Sequence, residues 1–195
     1  MFKSMPGRKA KILSTQQIDD LLFFSCHTRC SDRNRVLVLL SVKAGLRAGE
    51  IAKLTWDMVL GPTGDLGAVI ELRDCAAKKG SGRLIPIHAD LRNALLALRE
   101  HTGCIGPVIR SERGRAMTPV SIVNWFANAY RSIGLEGCSS HSGRRTFITR
   151  AARLVHKAGG SLRDVQLLAG HRSIQTTQRY IDGDTDAQRK LISLI

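Results

Sequence analysis

The chain has 195 residues, of which 43% are hydrophobic and 24% charged, so it suits one globular domain with an apolar core. Its longest apolar run, around residues 36–42, is far too short to cross a bilayer, and no signal-peptide pattern is present, so a soluble, cytoplasmic chain is the default expectation. The 30 lysines and arginines outnumber the 16 acidic residues, giving a net charge of +14. This excess predicts a polyanionic partner, and nucleic acid is favoured over a membrane because no long basic amphipathic segment is present. A basic protein without such a partner is the alternative.

The five cysteines are scattered and odd in number, which does not indicate a disulfide framework. Cys26, His27 and Cys30 stand close enough to suggest zinc, but no second Cys or His pair follows at ligand spacing. We therefore predict structural thiols in a reducing compartment, with no metal and no cofactor.

The chain begins with basic residues and then enters a helix. Residues 1–13 are predicted to form a basic arm, which either lies on phosphates or stays solvated. Ser14 and Gln17 match a capping box, which predicts the start of a helix. The main domain is therefore predicted over residues 14–195.

The next apolar run and a basic turn organise the middle of the chain. Residues 36–42 predict a second helix with Gly45 at its C-cap, and a short helix follows, so Arg47 lies at a junction between helices. Residues 68–72 and 84–87 predict two strands of a hairpin.

The remainder of the chain is predicted to be helical, which makes the fold class mainly α with a small antiparallel β-hairpin. Its expected elements are a helix over 90–101, a helix that Thr118 and Pro119 open, a helix from Ser140 to about 157, a helix between Ser161 and Gly170, a short helix after Ser173 that carries Tyr180, and an amphipathic tail helix over 185–195.

Two basic residues near the carboxyl end have the spacing of a phosphate-binding pair. His141 and Arg144 stand three positions apart, so on one helix they share a face. Arginine holds a phosphate by two parallel hydrogen bonds, and histidine exchanges a proton near neutral pH. Taken alone, the pair is better explained as a solvated basic helix face.

A histidine and a tyrosine follow in the next two predicted helices. His171 comes directly after Gly170, before a helix start where backbone N–H groups favour an anion. Taken alone, however, it is better explained as a helix cap or as a residue packed at a turn. Tyr180 lies among polar residues, whereas Tyr130 ends an apolar helix and is predicted to be core. A phenol is a weak nucleophile with a pKa of about 10, so Tyr180 needs cations or a base nearby, or else it is a packing residue.

The combination and order of these motifs resemble the tyrosine recombinase, or phage integrase, family over roughly residues 14–195. In that family an Arg follows Gly-Leu with a Glu three positions on, a hairpin Lys precedes Arg-x-x-Pro, a His-x-x-Arg pair precedes Thr, and Gly-His precedes a nucleophilic Tyr. The matching positions here are Arg47, Glu50, Lys78, His141, Arg144, His171 and Tyr180.

The resemblance implies a catalytic role for each of these positions except Glu50, which is expected to orient Arg47 or cap a helix. It makes Tyr180 the nucleophile that forms a 3′-phosphotyrosyl bond with DNA, and Arg47 and Arg144 the clamp on the phosphate oxygens. Lys78 is the expected general acid, His141 assists proton transfer, and His171 bonds the phosphate.

The chain departs from the family pattern at several positions. Gly143 and Arg145 stand where Leu and His are usual, which is expected to weaken the helix and to add charge. Lys79 rivals Lys78, because a slip of one residue in the turn exchanges them. A helical clamp domain usually precedes the catalytic one, whereas this chain is similar to the short fimbrial-switch recombinases.

Several functional alternatives remain open. The resemblance implies a site-specific recombinase that acts on double-stranded DNA as a homo-tetramer, with a possible accessory DNA-bending protein, on the nucleoid. A type IB topoisomerase-like relaxase would use the same Tyr180 and arginines. A non-catalytic DNA-binding accessory protein is the third reading.

Overall fold

A computed structural model of the chain describes residues 10–77, 80–180 and 192–193. Within these ranges the chain is mainly helical, with one two-stranded antiparallel sheet, and this confirms the predicted fold class. Lys78, Lys79, nearly all of the predicted tail helix over 185–195 and most of the predicted arm lie outside the described residues. No helix in the described ranges is both long enough and apolar enough to span a membrane.

The elements follow one another along the chain as a helical domain that a hairpin interrupts. They are α1 (Thr15–Cys26), α2 (Ser31–Val42), α3 (Ala48–Lys53), β1 (Val69–Leu72), β2 (Arg83–Pro86), α4 (Ala89–Thr102), α5 (Pro119–Ser132), α6 (Ser142–Leu154), α7 (Leu162–Ala169) and α8 (Ile174–Gln178), with 3-10 turns at Trp56–Met58 and Val155–Ala158.

Local capping signals place three helix ends as predicted. Ser14 and Gln17 form a capping box at the start of α1. Thr118 Oγ1 accepts the Ser121 N–H at the start of α5. Gly170 ends α7 with a φ of 61°, a left-handed conformation that glycine adopts without steric cost.

Two other predicted helix ends were wrong. Helix α6 begins after His141 rather than after Ser140, because Ser140 is buried with its Oγ 3.4 Å from His141 Nδ1. Helix α2 has Lys43 as its C-cap, and Gly45 lies in the turn that follows, where the Leu46 N–H donates to Leu40 O. In both places contacts in the folded chain outweigh the local signal.

Helix α2 is the centre of the larger of two hydrophobic clusters. Its residues 36–40 are fully buried, because α1, α4 and α6 pack around it. The smaller cluster lies between α6 and α7 and contains Ile148, Val155 and Val165, with Tyr180 packed against its side. The polar residues of interest thus lie where α6, α7 and α8 meet the main core.

The hairpin brings one strand against the carboxyl-terminal helices. Strand β1 pairs with β2 in antiparallel register, from Val69 opposite Pro86 to Leu72 opposite Arg83. Arg83 Nε donates to Leu168 O at 2.8 Å, which ties the start of β2 to α7. This hydrogen bond fixes the hairpin to the carboxyl-terminal helices at the first residue of β2.

Gly143 has a packing role that its low helix propensity conceals. A Cβ at this position would lie 3.0 Å from both Ser41 Cβ and Val42 Cγ1 and closer still to Ser41 Oγ, so Gly143 allows α6 to approach α2. We expect Gly143→Ala to lower the free energy of unfolding by about 1–3 kcal/mol through overpacking, as measured by urea denaturation.

Gly49 is the matched control for this prediction. It lies inside α3, and a Cβ there meets nothing within 4 Å. Gly49→Ala should therefore raise the free energy of unfolding by about 0.5–1 kcal/mol through helix propensity alone. The two substitutions are therefore expected to change the free energy of unfolding in opposite directions, and a Gly143→Ala protein as stable as the Gly49→Ala protein would contradict the packing role.

Candidate active site

The structure brings most of the predicted site residues to one place. Arg144 lies in the first turn of α6, His171 follows α7, and Arg47 precedes α3. Tyr180 was predicted on a short helix, but α8 ends at Gln178 and Tyr180 lies in the turn beyond it, where its N–H donates to Thr177 O at 3.0 Å. The choice between Lys78 and Lys79 stays a prediction, because both lie outside the described residues.

Glu50 is the anion around which three arginines assemble. Its carboxylate accepts hydrogen bonds from Arg47 Nη1 at 2.7 Å and from Arg83 Nη2 at 3.1 Å, and Arg144 Nη1 lies 3.9 Å away. Its Oε2 also accepts the Arg47 N–H, so Glu50 both caps α3 and orients Arg47. We call Arg47, Arg83 and Arg144 around Glu50 the arginine cluster.

The ionised form of Glu50 is strongly favoured. Burial by itself raises the pKa of Glu50, but the hydrogen bond and charge of Arg83, with those of Arg47, outweigh burial and lower the pKa to about 2. Three guanidinium groups therefore face one carboxylate at neutral pH. The excess of positive charge favours a further anion beside the arginine cluster.

Arg83 is the member of the arginine cluster that sequence reasoning missed as a site residue. Its side chain is only 6% exposed and binds both oxygens of Glu50. The signal was present: in a strand, Arg83 shares a face with Ile85, which is buried. A charge on the buried face of a strand requires a partner of opposite charge, and Glu50 provides it.

Arg144 is held by the backbone of two distant segments. Its guanidinium donates to Gly45 O and, at 2.6 Å, to Ala169 O, and the residue is 3% exposed. Burial lowers the pKa of Arg144 to about 10, and the positive charge of Arg47 acts in the same direction. Arg144 thus remains a fixed cation at neutral pH.

His171 is neutral and uses both ring nitrogens. Burial, followed by the charges of Arg144 and Arg47, lowers the pKa of His171 to about 4. Arg144 Nη2 lies 3.2 Å from His171 Nε2, and because arginine can only donate, Nε2 is the acceptor. The proton is therefore on Nδ1, which donates to Thr177 Oγ1 at 3.0 Å.

Tyr180 borders a pocket that basic side chains surround. Its half-buried ring stacks on His171, with 5.5 Å between ring centroids and 23° between ring planes. The pocket has a volume of about 340 Å³ and opens to solvent beside the exposed His141. The residues that line it are Ala10, Ser139, His141, Arg144, Arg145, Arg179 and Tyr180.

His141 and Arg144 therefore come together because they line the same pocket, not because they share a face of α6. His141 is the N-cap of α6 and is exposed, whereas Arg144 is buried in the first turn. Among the described residues, His, Cys, Asp and Glu side chains form no group of three that could hold a metal ion. The pocket can therefore hold an anion beside the phenol of Tyr180. The cations that line the pocket would neutralise the anion, and His141 lies at the edge that is open to solvent.

A model of the phage integrase family matches residues 11–186 of the chain. The chain belongs to the phage integrase family. This integrase-family chain is 30% identical over 158 residues to the tyrosine recombinase XerC of Rhizobium meliloti (strain 1021), a match that covers 78% of this chain and 46% of that protein. It is 27% identical over 196 residues to XerC of Rickettsia typhi (strain ATCC VR-144 / Wilmington), covering 92% of this chain and 59% of that one. The chain thus spans about half the length of these curated relatives.

Solved structures share the fold of this integrase-family chain. The XerA recombinase superposes with a TM-score of 0.76 at 20% identity, covering 97% of this chain and 66% of XerA. The Tn1549 transposon integrase in complex with transposon right end DNA gives a TM-score of 0.75 at 18% identity, covering 99% of this chain and 68% of that one. These likenesses confirm the predicted fold, that of a tyrosine recombinase catalytic domain.

Proposed function

We propose that this chain is the catalytic domain of a tyrosine-type site-specific recombinase, which breaks and rejoins DNA strands. The observation that carries the proposal is the place of Tyr180. Its ring stacks on His171, which binds the buried Arg144, and it borders a pocket open to solvent. A phenol in such surroundings can reach a phosphate and is next to the charges that stabilise the transition state.

The proposed reaction is a transfer of the phosphoryl group between oxygens. Tyr180 Oη forms a bond to phosphorus while the bond from phosphorus to the 5′-oxygen breaks, which leaves a 3′-phosphotyrosyl bond and a 5′-hydroxyl. His141 receives the phenol proton, and Lys78 (or Lys79) gives a proton to the departing 5′-oxygen. Attack by the 5′-hydroxyl of another strand reverses the step, so the bond energy is conserved and no ATP is consumed.

The arginine cluster supplies the charge for this step. Arg47 and Arg144 are proposed to neutralise the two non-bridging oxygens of the phosphate, with Arg47 at the more exposed position. Loss of one such donor typically slows a reaction by about 10²–10³-fold. A bond from His171 to the phosphate requires its Nε2 to release Arg144 and to carry the proton, so in the DNA-free arrangement His171 orients Arg144.

Double-stranded DNA and further copies of the chain are the proposed partners. λ integrase, which superposes with a TM-score of 0.69 at 18% identity over 92% of this chain and 50% of its own, has been solved as a tetramer bound to a Holliday junction. Exchange between two duplexes cuts four strands, one in each active site, and this supports four copies here. An accessory DNA-bending protein and a place on the nucleoid are further predictions.

The test is a covalent adduct mapped to one residue. The probe is a library of DNA duplexes, each with a nick and with randomised sequence around it, so that a short 5′-hydroxyl fragment diffuses away after cleavage. We expect SDS-resistant protein–DNA adducts whose DNA-linked peptide contains Tyr180. The chain has two tyrosines, so the peptide with Tyr130 is an internal control. DNA binding without any adduct would instead indicate an accessory protein, and relaxation of supercoiled DNA without a preferred sequence among the adducts would indicate a topoisomerase-like relaxase.

A further inference from the structure

Arg145 is a cation beside the nucleophile that the proposed reaction leaves without a role. Its Cζ lies 5.9 Å from the centroid of the Tyr180 ring, within the range of a cation–π contact. It also lines the pocket that His141 and Arg144 line. At this position the family pattern has a histidine, so the guanidinium is a feature of this chain.

Helix geometry separates the task of Arg145 from that of Arg144. Successive residues of an α-helix point about 100° apart, so two adjacent arginines face different surroundings. Arg144 faces Gly45 O and Ala169 O, deep in the fold. Arg145 is half-buried and faces the aromatic ring of Tyr180.

The guanidinium of Arg145 is not fixed at its Nε atom by a hydrogen bond to the described residues. Its Nε atom is buried, and none of the described residues accepts a hydrogen bond from it. A buried donor without an acceptor destabilises the folded state. The contact with the Tyr180 ring is thus the interaction that the described residues show for the guanidinium of Arg145.

The position of Tyr180 is not fixed by a helix. It lies in the turn beyond α8, outside the regular hydrogen bonds of a helix. Its backbone is held by Thr177 O and, at 3.5 Å, by Thr149 Oγ1, and its ring rests on His171. Because the histidine is neutral, Arg145 provides the cationic contact to the ring from the side of α6.

We propose that Arg145 is a positioning residue that holds the Tyr180 ring beside the arginine cluster through a cation–π contact. This inference rests on the proposed function for its catalytic consequence, but the contact itself exists in the free protein. Glutamine at this position removes the charge and keeps a polar side chain. Lysine keeps the charge and loses the planar guanidinium, which stacks on an aromatic face better than an ammonium group does.

The first experiment observes the Tyr180 ring without DNA. The protein is labelled with ¹³C-tyrosine, so that its NMR spectrum has one set of ring signals from Tyr130 and one from Tyr180, assigned with Tyr180→Phe. In Arg145→Gln we expect the Tyr180 signals to move toward those of a mobile, exposed tyrosine, while the Tyr130 signals stay in place. Arg113→Gln, at an exposed position in the segment between α4 and α5, is the control and should move neither set. Unchanged Tyr180 signals in Arg145→Gln would overturn the proposal.

The second experiment measures the consequence for cleavage. On nicked duplexes selected by the wild-type protein, the single-turnover rate of adduct formation should fall about tenfold in Arg145→Gln and less in Arg145→Lys. DNA affinity, measured in the Tyr180→Phe background, should change less than about twofold, since a ring contact adds nothing to binding. A fall in affinity with a salt slope reduced by about one would instead make Arg145 a phosphate contact and contradict the positioning role. If the wild type forms no adduct, the proposed function fails, and the NMR experiment still decides the ring contact.

Discussion

The Tyr180→Phe variant is expected to fold, to bind nicked duplex DNA as the wild type does, and to form no covalent adduct with it. The substitution removes one oxygen, the atom that the proposed reaction joins to phosphorus. The ring contacts with His171 and Arg145 involve the aromatic face, which phenylalanine retains. Adduct formation is measured by gel electrophoresis in SDS after incubation with the selected nicked duplexes.

Tyr130→Phe is the matched control for this loss. Tyr130 is 1% exposed, and its hydroxyl finds no hydrogen-bond partner among the described residues. Burial raises the pKa of the Tyr130 phenol, which keeps that phenol neutral and unsuited to attack a phosphate. Removing a buried, unpaired hydroxyl should leave cleavage unchanged and should be neutral or stabilising by up to about 1–3 kcal/mol. An adduct that persists in Tyr180→Phe and disappears in Tyr130→Phe would refute the assignment of the nucleophile.

Glu50→Gln is expected to lower the free energy of unfolding by about 3–5 kcal/mol, because it breaks a buried ion pair from one side. Glu50 is 1% exposed and is the carboxylate to which Arg83 and Arg47 donate. The amide of glutamine has one acceptor oxygen, and its NH₂ group would face guanidinium donors. Cleavage should fall as well, since Arg47 loses the group that orients it.

The stabilisation by Glu50 should depend on pH in a defined window. The pKa of Glu50 falls from an ordinary 4.5 to about 2 in the folded protein, so the ionised carboxylate stabilises the fold fully above 4.5. This stabilisation, about 3 kcal/mol, is lost as the pH falls through 4.5 toward 2. The difference in unfolding free energy between wild type and Glu50→Gln should therefore shrink across that range, as measured by urea denaturation at a series of pH values.

Glu71→Gln is the control for both the loss of stability in Glu50→Gln and its dependence on pH. Glu71 is an exposed residue of β1, and its substitution should change the free energy of unfolding by less than about 0.5 kcal/mol at any pH. Should Glu50→Gln not fold at all, the acid unfolding of the wild type still reports on Glu50. A difference between the two proteins that stays constant from pH 6 to 3 would mean that the ionisation of Glu50 does not support the fold.

Sequence reasoning succeeded for features that depend on neighbours in the chain. The start of α1 at Ser14, the start of α5 at Thr118 and the end of α7 at Gly170 depend on contacts that span a few residues. Such signals are written in the local sequence, so they can be read without the fold. The spacing of Gly170, His171 and Tyr180 pointed to a site only through the resemblance to the family, and the structure places the rings of His171 and Tyr180 side by side.

Reasoning from local signals failed where packing between distant segments prevails. Gly143 appeared to weaken α6, yet it admits Ser41 and Val42 of α2 at close range. Tyr180 was expected on α8, whereas the helix ends at Gln178 and the tyrosine packs against the cluster of α6 and α7. Neither contact can be predicted from residues that are close in the chain, because each joins segments that are far apart in sequence.

The amino-acid sequence by itself determined that the chain is basic and carries Arg47, Arg144, His171 and Tyr180 in the order of the family's motifs, and these are the groups proposed to carry the chemistry. Only the tertiary structure decided how those groups are held. Arg83 reaches Glu50 across 33 positions of the chain, and Arg144 reaches Gly45 O across 99. The reason is physical: a buried charge takes its partner from whichever segment packs against it, and that choice is made when the helices and the hairpin come together.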